Sequence, residues 1–138
     1  VLTDRLNKLC LFLDDTYNIN SGGCCLIAYL LAKLLNSDNV EYAIVVFEGD
    51  NKKQELVSTF KELIKSHEHY ALKVGDKYIN VGEFGKTAHR TFNDVKVKDI
   101  YNHYKNGNWN ECYDVDKTSF LSIVVKRFYN DFTADLRK

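Results

Sequence analysis

The chain has 138 residues and a mass of 16.0 kDa, with 45% hydrophobic and 28% charged residues. These are ordinary values for a single globular domain, expected to span 1–138, with a core that needs neither disulfides nor a metal. Nineteen Lys and Arg offset nineteen Asp and Glu, whereas phosphate-binding proteins carry a basic excess, so a nucleic-acid partner is not expected.

No apolar run reaches the roughly 18 residues that cross a bilayer, and the N-terminus has no basic-then-apolar leader, so neither a membrane nor a secreted protein is expected. Leu2, Leu6, Leu9, Cys10 and Leu13 recur at helical spacing behind Thr3 or Asp4, predicting an amphipathic helix over about 3–14. The turn-rich DDTYNINSGG follows. From Cys24 to Leu35 the chain is apolar on nearly every side and rich in Leu and Ala, the composition of a buried central helix. NSDN ends it, and Val40–Phe47 reads as a strand dense in β-branched and aromatic residues.

Leu56, Val57, Phe60, Leu63 and Ile64 predict another helix, entered through Asp50 or Asn51. His69–Val74 and Lys77–Val81 flank Gly75-Asp76 and read as a hairpin. A longer polar stretch, GEFGKTAHRTFND, precedes a short helix near Ile100–Tyr104. In the last helix Phe120, Ile123, Val124, Phe128 and Phe132 share a face assigned to the core. Helices first, then strands with interleaved helices, predict an α+β fold: an antiparallel sheet against a central N-terminal helix, closed by a C-terminal helix. Proline is absent, so turns fall to Gly, Asn and Asp.

The four cysteines are Cys10, Cys24, Cys25 and Cys112. Their spacing is irregular and nothing suggests export, so free thiols in a reducing cytoplasm are expected. No paired Cys/His clusters provide a zinc site, and neither metal nor cofactor is expected. His67-Glu68-His69 can put two imidazoles on one strand face, but no third ligand stands at a sensible spacing. The Asn-, Lys- and Tyr-rich composition points to an AT-rich genome, such as that of a bacterium or its phage.

The informative segment is Ser21-Gly22-Gly23-Cys24-Cys25-Leu26-Ile27-Ala28. Its glycines let the backbone turn sharply, placing the cysteines at the first positions of a helix. Unpaired N–H groups and the positive end of the helix dipole favour a thiolate there, which predicts a lowered pKa. The same N–H groups can hold the oxyanion of a tetrahedral intermediate. Such a nucleophile needs a base, and the base an orienting partner. His69 opens one strand of the hairpin, and Asn80 lies near the end of its partner. The turn places them one pair off direct opposition, within reach on the same face.

Cysteine at a helix start, then histidine opening a strand, then Asn or Asp on the next strand is the order of the papain-like cysteine protease superfamily. The chain most resembles its transglutaminase-like and arylamine N-acetyltransferase-like branches. Their Gly-x-Cys-x-x-x-Ala helix start is matched by Gly22-Gly23-Cys24-Cys25-Leu26-Ile27-Ala28. Their His-x-x-Leu-x-Val is matched by HYALKV, and their Asp-Val-Gly-Phe-Gly is similar to Asn80-Val81-Gly82-Glu83-Phe84-Gly85, with Asn for Asp and an inserted Glu83. The resemblance covers roughly 18–84 and implies a papain-like core with a Cys-His-Asn triad. The arginine that precedes Gly-Gly in the acetyltransferases is Ser21 here.

Helix register favours Cys24 as nucleophile: Ile27, Ala28, Leu31, Ala32 and Leu35 continue its stripe, whereas the stripe of Cys25 runs into Lys33 and Asn36. The acetyltransferase-like spacing Gly-Gly-x-Cys selects Cys25 instead. Papain-like enzymes take a second oxyanion donor from a side-chain amide six residues before the cysteine. Asn18 holds that offset from Cys24, with Asn20 nearby. The resemblance implies acyl transfer through Cys24, His69 and Asn80, acting on an amide, isopeptide or peptide bond of a peptide or protein substrate. The alternative is a binding or structural module of the same fold with a vestigial triad.

Overall fold

A computed structural model describes residues 2–20, 23–48, 69–81, 90–104 and 115–137. Helix α1 (Leu2–Tyr17) buries the expected stripe of Leu6, Leu9, Cys10 and Leu13. It stops at Asn18, whose φ of 56° is left-handed and whose N–H closes a 2.8 Å bond to the Asp14 carbonyl. That single bond is the αL form of helix termination.

Helix α2 (Cys24–Ser37) lies at the centre of the core and packs against the sheet and against the two helices that follow it. The stripe of Ile27, Ala28, Leu31, Ala32 and Leu35 is buried, and Lys33 and Asn36 are exposed, as expected. The helix ends in a Schellman motif: the Asn39 N–H bonds to the Asn36 carbonyl at 3.1 Å and the Val40 N–H to the Leu35 carbonyl at 2.9 Å. Asn39, at φ 58°, takes the left-handed position usually filled by glycine. Because the motif consumes the Val40 N–H, strand β1 (Ala43–Glu48) starts three residues later than the predicted Val40.

Strands β2 (His69–Val74) and β3 (Lys77–Ile79) form the predicted hairpin, with Val74 paired to Lys77 and Leu72 to Ile79. Gly75 supplies the positive φ, 63°, that a two-residue loop demands of its first central residue. Strand β4 (Arg90–Val95) begins within the polar GEFGKTAHRTFND stretch, for which the sequence predicts no strand. It pairs with the other edge of β1, across a register shift between Val45 and Phe47. The four antiparallel strands lie in the order β3-β2-β1-β4. Ile44, Tyr70, Leu72 and Ile79 face the helices, while Val45 and Ala71 are buried on the opposite side.

Helix α3 (Val97–Tyr104) sends Ile100 into the core, and helix α4 (Val115–Thr133) runs on into a 3₁₀ turn (Ala134–Arg137). The buried face of α4 is only partly the one predicted: Val124 is buried and Phe128 and Phe132 pack against the core. Phe120 and Ile123 are 51% and 70% exposed, and the core takes Leu121, Val124, Val125 and Tyr129. Phe128 and Phe132 meet Phe12 of α1, with ring centroids 4.7 and 6.2 Å away. Arg5 locks the same pair of helices by bonding the Phe132 carbonyl and both carboxylate oxygens of Asp135.

The result is an α+β fold in which an antiparallel sheet packs on a central helix. The predicted helix over 56–64 falls outside the described residues. Among the described residues, no helix is long and apolar enough to cross a membrane.

Candidate active site

The loop between α1 and α2 carries the candidate nucleophile, and several contacts fix its course. Ile19 is fully buried, the Asn20 N–H donates to Asp14 Oδ1 at 2.9 Å, and the Gly23 N–H donates to the Ile19 carbonyl at 2.9 Å. Gly23 is the residue before the helix and caps it with backbone alone. The first intrahelical bond runs from the Ile27 N–H to the Gly23 carbonyl, so the N–H groups of Cys24 and Cys25 precede the ladder.

The backbone N–H groups of Tyr70, Cys25 and Cys24 itself lie close enough to the Cys24 sulfur to act on its charge. All three favour the thiolate. Burial nevertheless wins: with Cys24 only 8% exposed, desolvation pushes its thiol above the ordinary value of 9.0. The lowered pKa expected from the helix terminus is thus outweighed by the depth of the site. Cys25 is buried as well, at 5%. Cys10, Cys24 and Cys25 are all free thiols, and Cys112 lies outside the described residues.

His69 is where the sequence places it, at the first position of β2 and paired with Phe47 of β1. Its neighbour Tyr70 is the residue whose N–H approaches the Cys24 sulfur, but strand alternation puts position 69 with Ala71 on the sheet face opposite Tyr70, Leu72 and the helices. The imidazole itself is outside the described atoms, as are Ser21, Gly22 and His67.

Asn80 follows β3 in a left-handed conformation, φ 68°. Its side chain forms a reciprocal amide pair with Asn20, and its N–H donates to Asn7 Oδ1 at 3.0 Å. The sequence pointed to Asn80 but not to Asn20 as its partner. The available signal was the density of asparagines around two chain reversals.

Asn18, the weak oxyanion candidate, is exposed and terminates α1, six residues ahead of Cys24. Among the described residues, no three His, Cys, Asp or Glu side chains gather as a metal-ligand set. A groove of about 470 Å³ lies along the opposite half of α2, between Leu30, Lys33, Ser37 and Asp38 on one wall and Lys126 and Tyr129 of α4 on the other. Comparison of the chain with protein-family models, curated proteins and solved structures finds no significant match.

Proposed function

We propose that the protein is a cysteine-nucleophile acyl-transfer enzyme with a papain-like, transglutaminase-like core. Supporting this reading is the meeting of the Cys24 sulfur with the Tyr70 N–H, next to the residue that opens β2. Cys24 attacks the carbonyl carbon of an amide, isopeptide or peptide bond. His69 takes the thiol proton and passes it to the departing amine, and Asn80 orients the imidazole. Water or a second amine then releases the acyl group from sulfur, so hydrolysis and transfer share one intermediate. The Cys24 backbone N–H with Asn18 holds the oxyanion, with Cys25 as a further candidate. No cofactor enters this scheme, and the free thiols suit a reducing cytoplasm.

The raised pKa of Cys24 shapes the mechanism. A buried thiol rests protonated, so the base must remove the proton as attack begins or hold it as an imidazolium paired with the thiolate. Iodoacetamide below pH 7 tests this. Labelling is expected to disappear in Cys24→Ala and in His69→Ala and to persist in Cys25→Ala. Equal labelling of all three variants refutes the reading.

A second reading, a binding module with a vestigial triad, is favoured by the burial of Cys24. It predicts a Cys24 that stays inert at neutral pH whether or not His69 is present.

A further inference from the structure

The groove between α2 and α4 runs along the half of α2 away from Cys24 and has no part in the proposed chemistry. Each helix gives it one wall at helical spacing, Leu30, Lys33, Leu34 and Ser37 from α2 and Ser122 and Lys126 from α4. Its volume of about 470 Å³ is that of a pocket for a small organic molecule.

The charges around it do not balance. Lys33 and Lys126 stand on opposite walls, against the one carboxylate of Asp38 at the end of α2, in a chain whose formal charge is zero. That carboxylate is engaged, accepting the Tyr129 hydroxyl at 2.7 Å. Among the described residues, neither lysine forms an ion pair with a carboxylate. The Lys33 ammonium instead lies 5.4 Å from the centroid of the Tyr29 ring, and Tyr29 stacks on Tyr101 of α3 with centroids 6.2 Å apart. An ammonium resting on an aromatic face keeps its charge and still has N–H groups to donate.

An anion reached by both ammonium groups gains charge-assisted hydrogen bonds from two walls at once. The groove is not purely polar, however. Leu30 and Leu34 are only partly buried against the core, so apolar surface remains between the lysines that a small hydrated ion leaves wet. A ligand that joins a negative head to a hydrocarbon body uses both features.

We infer that the α2–α4 groove binds a small organic anion, its carboxylate taken by Lys33 and Lys126 and its hydrocarbon laid on Leu30 and Leu34. The site is independent of Cys24 and of the acyl-transfer reading.

The probe is decanoate, titrated into the full chain below its micelle-forming concentration and followed by backbone amide chemical shifts. Saturable shifts are expected along 30–38 and 122–130 and not around Cys24. Lys33→Gln and Lys126→Gln change exposed side chains. Each is expected to weaken binding about fivefold, the scale of an exposed charge pair, with little change in urea midpoint. Added salt is expected to weaken it as well. Decanol, which has the chain without the charge, and inorganic phosphate, which has the charge without the chain, are each expected to bind more weakly than decanoate.

Decanol binding as tightly as decanoate, or both lysine variants binding as the parent chain does, reduces the groove to bare apolar surface and overturns the anion site. Phosphate binding as tightly as decanoate overturns the role of the two leucines. Shifts that never saturate, or that centre on Cys24, overturn the groove as the binding site, and none of these results bears on the alkylation test of the enzyme reading.

Discussion

The backbone N–H of Tyr70, in the strand that His69 opens, lies close enough to the sulfur of Cys24 at the start of the central helix to favour its thiolate. Being a backbone group, this donor survives any substitution at His69. In His69→Ala the cysteine keeps its three N–H partners and its burial but loses the proposed base. Its alkylation should then follow the thiolate alone, with a midpoint above the ordinary 9.0 because burial outweighs the N–H groups. A pH titration of the iodoacetamide rate checks this, and a midpoint near or below 8 in His69→Ala contradicts it.

Cys10 predicts how stability depends on alkaline pH. Burial first, and the nearby Asp14 carboxylate second, push its thiol up to about 12. Between the unfolded value near 9 and that figure, the native state keeps a proton that the unfolded chain releases. Stability is therefore complete below pH 9 and falls above it, by about 1.4 kcal/mol per pH unit for one such group. The cavity cost of Cys10→Ala does not depend on pH, so the stability gap between wild type and this variant should shrink by about 1 kcal/mol from pH 8 to pH 10. Urea denaturation at the two pH values measures it, and a constant gap rules it out.

The parts of the fold legible in the sequence were those whose cause is local. Gly75-Asp76 between two alternating runs announced the hairpin, and the Leu- and Ala-rich run after Cys24 announced the central helix. Strand β4 was hidden because Asn93-Asp94 interrupts its β-forming residues, and what makes it a strand is the open edge of β1. The predicted face of α4 holds at Val124, Phe128 and Phe132, which pack on the core and on Phe12 of α1, and fails at Phe120 and Ile123, whose places are taken by Leu121, Val125 and Tyr129.

At the candidate site, the stripe that begins at Cys24 could be counted from the sequence. The sign of its pKa shift could not, because it depends on depth beneath other elements. Nor could the pairing of Asn20 with Asn80, which joins residues 60 positions apart.

Asn80 combines two demands that substitutions can separate. Its φ of 68° suits Asn or Gly and penalises alanine, while its amide makes the pair with Asn20. Asn80→Gly keeps the backbone and loses the amide, so it should cost about 1 kcal/mol. Asn80→Ala adds the left-handed penalty, for a total of about 2 kcal/mol. Chemical denaturation of both variants tests this ordering, and an Asn80→Ala at least as stable as Asn80→Gly shows that the conformation imposes no strain.

The far end of α2 depends on a different contact. Tyr129 of α4, with its ring 2% exposed, donates its hydroxyl to Asp38 Oδ2 at 2.7 Å, so the residue that caps α2 is held by the helix packed against it. Tyr129→Phe keeps the ring and its packing and removes only this donor. Asp38 is exposed and regains water, which limits the cost to about 1 kcal/mol rather than the larger penalty of a buried orphan. If the bond is the main link between the two groups, Asp38→Ala and Tyr129→Phe should be non-additive, the double variant losing little more than either single one. Additive losses in a double-mutant cycle of urea midpoints would show that the two side chains act independently. Because both line the groove between α2 and α4, the same variants should also loosen that wall, seen as faster amide exchange in the last turn of α2 with no change around Cys24.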